Sequence, residues 1–482
     1  MRVLDNLEPK RVFYYFEEIA SIPHGSRDTK RISDYLVDFA KQHNLEHYQD
    51  ELNNVIIIKE ATEGYENSEP IIIQGHMDMV CEKEKGCSID FEKDGLELYI
   101  DGDFVKAKDT TLGGDDGIAV AYALALLESD QIAHPRLEVV ITVDEEIGML
   151  GAEDIDLSML KGHLMLNIDS DEEGHFLTSC AGGMSLNISI PVSRTSQTGT
   201  LVELTVGGLE GGHSGGEIHK EHGNADIIMG RLLKIIMEAT PFGIVKLEGG
   251  LKDNAIPREC VCSILIPEEA EKLVNEITAD LNKTVKNEFS VSDAGVFVSA
   301  EVKGEATCDI LDYTSVNKVV FYLRTVPNGV QNMSMIMPGL VETSLNLGIM
   351  KLNESSLEMV TSVRSSVSSR KTDLQDRVTA LVEMLGGQVV VEGDYPAWEY
   401  KAQSELRETV CETYRKLFGE EPVFEAIHAG LECGLISEKI PGLDCVSFGP
   451  NNYDIHTPKE RLSISSTEKI WKFIIELLKN AK

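Results

Sequence analysis

Short aliphatic runs that stop at acids or at a histidine constrain the fold of this chain more than any other feature of its sequence. Each run has the length and composition of a buried strand, and helix-like segments separate the runs. Strands that alternate with helices predict a mostly parallel α/β sheet, in which polar groups at the carboxyl ends of the strands meet at one edge. The runs and the groups after them are 71–74 with His76 and Asp78, 137–143 with Glu145 and Glu146, and 164–168 with Asp169.

The first run ends at His76 and Asp78, which one residue separates. Side chains two positions apart in an extended segment share a face, so both groups can point into one crevice. A metal-bound imidazole usually donates its second N–H to a carboxylate, and Asp78 is close enough to orient His76 in this way. An ordinary polar strand terminus is the alternative. The acids after the neighbouring runs and a second histidine, His456, favour a metal site.

Two domains are expected, because 482 residues exceed what one hydrophobic core usually holds. Segments 9–22 and 27–43 have the periodicity of amphipathic helices, with Ser26 as the predicted cap of the second. After residue 183 the pattern is typical of a separate α+β unit. Because His456 returns to partners before residue 170, this unit is predicted to be an insertion. The predicted domains are a catalytic domain at 1–183 and 396–482 and an inserted lid at 184–395.

The overall composition excludes some partners and indicates a compartment. A net charge of −37 argues against nucleic acid, since phosphate binding needs clustered Lys and Arg. Nine scattered cysteines without a Cys-x-x-Cys motif predict neither a disulfide framework nor a zinc ribbon, and they fit a reducing cytoplasm. The first residues carry acids where a signal peptide needs an apolar core, and no apolar run reaches the length of a membrane span. We expect a cytoplasmic protein without a membrane partner.

Longer motifs, spread over nearly the whole chain, carry a resemblance to a known family. They lie at 76–83, 111–117, 145–146, 211–218, 254–259 and 428–434. With these motifs the chain resembles the M20 metallopeptidases, and within them the Xaa-His dipeptidases, which include carnosine hydrolases. The resemblance implies a zinc-peptidase catalytic domain with a mixed, mostly parallel sheet and an inserted α+β lid or dimerisation domain. It also implies two zinc ions per chain, with Mn²⁺ or Co²⁺ as alternatives, and a homodimer formed through the inserted domain.

The resemblance further implies a set of metal ligands. Asp115 would bridge the two ions, His76 and Asp169 would hold one ion, and Glu146 and His456 would hold the other. Five protein groups suit two ions about 3.5–4 Å apart when water completes their coordination.

Two further features belong to the predicted metal centre. The resemblance implies a cis peptide bond between Asp115 and Asp116, which the neighbouring glycines would ease. Glu145 stands beside a predicted ligand at a strand end. This position favours a general base that takes a proton from the activated water and passes it to the leaving amine. A solvated acid is the alternative.

The predicted lid contributes most of the expected substrate contacts. His213 lies among glycines that let the backbone approach a ligand. By resemblance it stabilises the tetrahedral oxyanion, in some relatives from the partner subunit, and a flexible turn is the alternative. Asn254 and Arg364 would hold the substrate carboxylate by the same resemblance, although a surface ion pair also fits Arg364. Gly430 could offer a backbone amide, and Glu432 could receive the amino group or be an ordinary helix acid.

The sequence thus predicts metal-dependent hydrolysis of dipeptides, with Xaa-His dipeptides preferred by family resemblance. A tripeptidase or an aminoacylase is the alternative within the family. An aspartate at position 169, rather than a glutamate, resembles the aminopeptidase and dipeptidase side of the family. A catalytically silent metal-binding protein would predict the loss of Glu145 or of a ligand, and neither is lost.

Overall fold

The computed structural model describes residues 2–481, which divide into two compact units. Unit 1 comprises residues 2–179, Tyr400–Ala426 and 431–481, and unit 2 comprises Cys180–Glu399 and Ile427–Gly430. The chain therefore enters unit 2 twice, and the second segment is only Ile427–Gly430. The assignment of 184–395 as a lid with a role in dimerisation stays a prediction.

The helices are distributed over both units. Two 3₁₀-helices lie at Ile218–Lys220 and Glu268–Ala270. Within the described residues the α-helices are α1 (Lys10–Ala20), α2 (Lys30–Gln42), α3 (Gly114–Glu128), α4 (Leu150–Asp154), α5 (Ala225–Ala239), α6 (Glu271–Glu288), α7 (Tyr313–Thr325), α8 (Ser368–Met384), α9 (Glu405–Phe418), α10 (Glu432–Lys439) and α11 (Ile464–Asn480).

The strands form three sheets. They are β1 (Glu46–Gln49), β2 (Val55–Lys59), β3 (Ile71–His76), β4 (Leu98–Asp101), β5 (Phe104–Ala107), β6 (Leu137–Thr142), β7 (Leu164–Asn167), β8 (His175–Cys180), β9 (Gly182–Pro191), β10 (Arg194–Gly207), β11 (Gly243–Gly249), β12 (Cys260–Ile266), β13 (Phe297–Leu311), β14 (Gly329–Met333), β15 (Val341–Leu352), β16 (Ser356–Ser365), β17 (Gln388–Tyr395), β18 (Val423–Ile427), β19 (Asp444–Ser447), β20 (Asn452–Tyr453) and β21 (Arg461–Ser463).

An eight-stranded mixed sheet, ordered β1-β2-β6-β3-β7-β19-β8-β18, forms the centre of unit 1. Strand β3 pairs in parallel with β6 and β7, and β7 pairs in parallel with β19. The carboxyl ends of these four strands therefore lie at one edge. Every residue of β3 and β6 is buried, as expected for parallel strands covered on both faces. A four-stranded sheet, β20-β21-β5-β4, completes the unit, and the predicted α/β fold with a mixed sheet is confirmed.

Helix α3 anchors the core of unit 1. Its residues from Gly117 to Leu127 are all buried, because almost every side chain in this stretch is apolar. The amphipathic helix α1 packs its buried face, which includes Phe13 and Phe16, into the same core. The first residues of α3 thus project from a rigid element toward the edge of the sheet.

Unit 2 is built around a nine-stranded antiparallel sheet, ordered β13-β10-β12-β11-β15-β16-β9-β17, with β14 paired to β15. Each half of the sheet contains a β-α-β-β-α-β set: the first is β10-α5-β11-β12-α6-β13, and the second is β9-α7-β15-β16-α8-β17. The first set lies between β9 and α7 in the chain, and β14 lies between α7 and β15. The strand order in one half mirrors that in the other about the β11–β15 contact, where Glu248 pairs with Lys351 and Gly249 with Met350. Unit 2 therefore contains two sets of elements with the same α+β topology.

The start of α2 differs from the prediction. The helix begins at Lys30 with Thr29 at the N-cap position, and Ser26 is not its cap. The backbone at residues 24–26 instead pairs with the segment after β3, where Met79 N donates to His24 O at 3.2 Å. This pairing directs the Ser26 hydroxyl to Asp78 Oδ2, at 2.8 Å. Within residues 2–481, no helix combines the length and apolarity that crossing a membrane requires.

Candidate metal centre and substrate-binding residues

The carboxyl edge of the unit 1 sheet collects the predicted metal ligands. His76 is the last residue of β3, Glu146 lies in the turn after β6, and Asp169 follows β7. Asp115 stands at the start of α3, and His456 lies in the loop between β20 and β21. Five separate elements thus deliver one group each to the same place.

The Asp115 carboxylate lies between the two histidines. His76 Nε2 is 3.0 Å from Asp115 Oδ1, and His456 Nε2 is 3.0 Å from Asp115 Oδ2. Each imidazole also faces a second acid: His76 Nε2 lies 3.7 Å from Asp169 Oδ1, and His456 Nε2 lies 3.0 Å from Glu146 Oε1. The arrangement has two halves joined by one carboxylate, with an imidazole and a further carboxylate in each half.

Asp78 contacts the other side of the His76 ring. Nδ1 of His76 lies 3.0 Å from the backbone oxygen of Asp78 and 3.4 Å from its carboxylate. Both neighbours are acceptors, so the proton of a neutral imidazole belongs on Nδ1 and the lone pair of Nε2 faces Asp115. Asp78 is held in turn by Ser26 and by the backbone N–H of Glu145, which donates to Oδ1 at 3.0 Å. The contacts leave His76 Nε2 oriented as a ligand.

The electrostatics of this cluster fit a cation. Although burial lowers the pKa of His76, contacts with Asp115 and Asp78 outweigh it and raise the pKa well above its usual range. Hydrogen bonds to Asp115 and Glu146 raise the pKa of His456 to about 10. The carboxylates of Asp115, Asp169 and Glu146 thus face two imidazoles. Imidazole nitrogens and carboxylate oxygens are ligand types that zinc takes in proteins.

Asp116 is an acid at this edge that the predicted ligand set did not include. The peptide bond between Asp115 and Asp116 is cis, as the resemblance implied. The carboxylates of Asp116 and Asp169, together with His76, bring their ligand atoms within 4.8 Å of one another. However, Asp116 Oδ2 already accepts the backbone N–H of His76, at 3.2 Å. Its carboxylate thus supports the end of β3, whereas the two oxygens of Asp115 each face an imidazole.

Glu145 has the altered acidity expected of a general base. Burial raises its pKa to about 8, and the negative charge of Glu432 adds to the effect. Glu432 itself is fully buried, with Oε2 accepting hydrogen bonds from Gln74 at 2.5 Å and Thr142 at 2.7 Å. Its role as a contact for the substrate amino group stays a prediction, and its burial favours an electrostatic effect on Glu145.

In unit 2, the glycines around His213 determine its tautomer. Nδ1 of His213 accepts the backbone N–H groups of Gly215 at 3.2 Å and Gly216 at 3.1 Å. A neutral imidazole that accepts at Nδ1 carries its proton on Nε2. Burial lowers the pKa of His213, and the nearby Arg364 charge lowers it further, which keeps the ring neutral. Nε2 is therefore an N–H donor for a substrate oxygen.

Arg364 has neighbours in unit 2 that the sequence did not indicate. Its Nη1 donates to the Tyr395 hydroxyl at 2.9 Å, whereas its buried Nε has no acceptor. Burial lowers the pKa of His428 to about 3, with the charge of Arg364 as the next cause, and His428 Nε2 lies 2.8 Å from the Ser344 hydroxyl. His428 belongs to a motif that carried the resemblance, but nothing in its spacing indicated that it returns to Arg364.

The remaining predicted contacts are in unit 2 as well. Asn254 is exposed, and its carbonyl accepts the N–H of Ser214, so it is tied to the His213 loop. Gly430 lies in the short return segment Ile427–Gly430, next to Ala429, whose carbonyl accepts the N–H of Ala181. The predicted metal ligands thus lie in unit 1, and the predicted substrate contacts His213, Asn254, Arg364 and Gly430 lie in unit 2.

These observations define the class of protein: an α/β protein with a candidate two-metal centre at the carboxyl ends of parallel strands. The particular family follows from comparison. The model of Peptidase family M20/M25/M40 matches residues 72–480, and the chain belongs to this family.

Two relatives are similar over the whole chain. The cytosol non-specific dipeptidase of Escherichia coli strain K12 is 35% identical over 481 residues, covering 99% of each sequence. The crystal structure of aminoacylhistidine dipeptidase from Vibrio alginolyticus has a TM-score of 0.94 and 34% identity, covering 99% of this chain and 97% of that one. The crystal structure of aminopeptidase PepT from Bacillus cereus has a TM-score of 0.58 at 15% identity. The match covers 98% of this chain and 99% of that one, and the two proteins share the fold.

Proposed function

We propose that this protein is a dinuclear zinc dipeptidase that hydrolyses dipeptides with a free carboxyl terminus. The observation that carries the proposal is the Asp115 carboxylate, whose two oxygens lie 3.0 Å from the imidazoles of His76 and His456. In this assignment His76 and Asp169 hold one ion, His456 and Glu146 hold the other, and Asp115 bridges them. Mn²⁺ or Co²⁺ could occupy the same ligands, since all three metals accept imidazole and carboxylate groups.

The bound ions would polarise the scissile carbonyl and lower the pKa of the attacking water. Glu145 takes the proton of that water and transfers it to the amine that leaves. Its pKa of about 8 suits both steps near neutral pH, because a good base must also be able to return the proton. Asp78 keeps His76 in the tautomer that binds a metal, through the contacts at Nδ1.

The residues His213, Asn254, Arg364 and Gly430 of unit 2 are proposed to bind the substrate. Arg364 pairs with the terminal carboxylate, and Tyr395 holds the guanidinium for this contact. The Nε2–H of His213 donates to the oxyanion that forms during attack, which is the largest electrostatic contribution in many acyl-transfer enzymes. Asn254 and the backbone amide of Gly430 are proposed as further contacts to the peptide.

The choice of a dipeptide over other substrates rests on similarity to two full-length relatives. The Escherichia coli protein is named a non-specific dipeptidase, and the Vibrio alginolyticus protein is named an aminoacylhistidine dipeptidase. We propose that the chain accepts several dipeptides, Xaa-His among them, including carnosine-type peptides. The cytoplasm is the proposed location, supported by the scattered positions of the nine cysteines and by the Escherichia coli relative, which is named a cytosol dipeptidase.

A substrate panel tests this proposal. Metal-free protein is reconstituted with Zn²⁺, Mn²⁺ or Co²⁺ and offered carnosine, other dipeptides, a tripeptide and an N-acetyl amino acid. We expect hydrolysis of the dipeptides and at least tenfold lower kcat/KM for the tripeptide and the acetylated compound. Preference for the tripeptide would establish a tripeptidase, and preference for the acetylated compound would establish an aminoacylase. If none of these substrates is hydrolysed while both ions are bound, the protein is a catalytically silent metal-binding protein.

A homodimer through unit 2 is also proposed. Strand β13 lies at the outer edge of the nine-stranded sheet and is 15 residues long. Such an edge offers backbone groups that can pair with the same strand of a second chain. Sedimentation at micromolar concentration should give twice the mass of one chain, and a single-chain mass would contradict this part of the proposal.

A further inference from the structure

Glu460 forms a clamp on the backbone that presents Asp115. Its Oε2 accepts the N–H groups of Leu112 at 2.7 Å and Gly113 at 3.1 Å, and its Oε1 accepts those of Gly114 at 2.8 Å and Asp115 at 3.3 Å. Four consecutive backbone donors thus meet one carboxylate, which is only 3% exposed. Because every facing group is an N–H, the side chain at position 460 must be an acceptor at both terminal atoms.

The turn that Glu460 holds is shaped for this carboxylate. Gly113 has a φ of 68°, in the left-handed region that favours glycine. A Cβ at Gly114 would lie 2.8 Å from Asn452 Nδ2, so that amide would have to shift, and 3.1 Å from Glu460 Oε1, so the carboxylate would be crowded. Asn452 Nδ2 also donates to Glu460 Oε1, at 3.3 Å. The glycines and Glu460 therefore form one interdependent structure.

The position of Glu460 in the chain links two proposed ligands. Glu460 and His456 lie in the same loop between β20 and β21, and Glu460 N donates to Thr457 O at 3.1 Å within it. This loop therefore holds Asp115 twice: Glu460 binds its backbone, and His456 Nε2 lies 3.0 Å from its Oδ2. A shift of Glu460 would move the backbone of Asp115 and, through the shared loop, His456. Both contacts of Asp115 would therefore change.

We propose that Glu460 is a positioning residue that aligns the bridging carboxylate Asp115 with His456, and that it sets the affinity of the ion held by His456 and Glu146. The inference rests on the proposed two-metal function. The ion held by His76 and Asp169 depends less on the clamp, because β3 and β7 carry those ligands independently of the loop. Loss of the clamp should therefore weaken one ion site selectively.

The test compares Glu460→Gln with Glu138→Gln. Glu138 is a matched control: it is fully buried and its carboxylate accepts the N–H groups of Lys161 and Gly162 at 2.9–3.0 Å, but it lies near the start of β6, away from the metal edge. Zn²⁺ binding to the metal-free proteins is measured by calorimetry, and ions are counted by native mass spectrometry. Co²⁺ absorption reports the ligand geometry of each site.

We expect Glu460→Gln to bind the first ion within threefold of the parent and the second at least tenfold more weakly, with a changed Co²⁺ spectrum. Glu138→Gln should bind both ions as the parent does, even if it unfolds at lower temperature. Unchanged affinity and spectrum in folded Glu460→Gln would overturn the proposal. If Glu460→Gln fails to fold, Gly114→Ala is the second variant, because its Cβ would shift the Asn452 amide and crowd the Glu460 carboxylate without removing it. The same two outcomes apply. A parent protein that binds fewer than two ions would contradict the proposed function itself.

Discussion

The Nε2 atom of His456 lies 3.0 Å from Oδ2 of Asp115, although 341 positions separate the two residues in the chain. This contact joins the last part of the chain to the start of α3. It also brings a second imidazole to a carboxylate that His76 already contacts, which is the geometry that two ions sharing one bridging ligand require.

Metal content tests this relationship directly. Native mass spectrometry should count two ions per chain, and chelation should abolish dipeptide hydrolysis until zinc is restored. Asp115→Ala should lose both ions because the bridge serves both, whereas His456→Ala should lose one. One ion per chain in the parent, or two ions per chain in Asp115→Ala, would contradict the ligand assignment.

Replacement of Glu145 by glutamine should separate catalysis from metal binding. The variant keeps the size of the side chain and removes its basicity, so turnover should fall by about two to four decades, the usual contribution of general acid–base catalysis. Ion content should stay at the parental value. Glu146→Gln is the matched neighbour and should lose metal instead. Loss of metal from Glu145→Gln would make Glu145 a ligand rather than the base.

His213→Ala should lower kcat by about two to three decades with both ions retained, since one oxyanion donor typically contributes this much. The control is His219→Ala, which removes an exposed histidine from the same segment and should leave kcat within twofold. Equal losses in the two variants would indicate damage to the loop rather than loss of a donor.

Mixed dimers test which chain uses His213. Inactive His213→Ala and inactive Glu145→Gln chains are mixed, and subunit exchange is verified with differently tagged proteins. If the partner subunit supplies His213, the mixture regains activity. Absence of recovery after verified exchange would rule out this trans arrangement and leave His213 and Glu145 acting within one chain. Recovery would assign the donor to the partner.

Arg364→Ala should raise KM for dipeptides with a free carboxylate by roughly 10- to 100-fold, the effect of losing charge-assisted hydrogen bonds of about 1.5–3 kcal/mol. Dipeptide amides should show little change, because they lack the carboxylate that the guanidinium binds. Tyr395→Phe removes the hydroxyl that holds Arg364 and should give a smaller effect of the same kind. Arg370→Ala, which removes an arginine paired with Glu342, is the control. An equal effect on esters, amides and free acids would contradict the assignment.

Asp226 predicts a pH-dependent stability of unit 2. Its carboxylate is fully buried, neither oxygen has a conventional donor, and burial raises its pKa to about 7. The folded pKa lies above the unfolded value, so the stabilisation is complete below pH 4 and is lost as pH rises toward 7. At pH 8 the free energy of unfolding of Asp226→Asn should therefore exceed that of the parent by up to about 4 kcal/mol. The difference should vanish near pH 4. A constant difference across this range would contradict the prediction.

Several features followed from the sequence because they depend on local rules. Short aliphatic runs predict strands, and groups at the carboxyl ends of neighbouring parallel strands lie close together. The sequence pattern therefore predicts that His76, Glu146 and Asp169 lie at one edge of the sheet. Asp115 in a glycine turn and His456 in a distant loop were further candidates, and the resemblance to a family assigned them their roles as ligands.

Other features required the tertiary structure. The four hydrogen bonds of Glu460, the return of His428 to unit 2 and the pairing of the two sets of elements in unit 2 through β11 and β15 all join segments far apart in sequence. A carboxylate that binds backbone N–H groups leaves no signal in sequence, because every residue except proline offers the same donor. The sequence by itself therefore determined which chemical groups the strands deliver to the edge of the sheet. Only the folded chain decided which loops hold them, because those contacts depend on backbone groups that all residue types share.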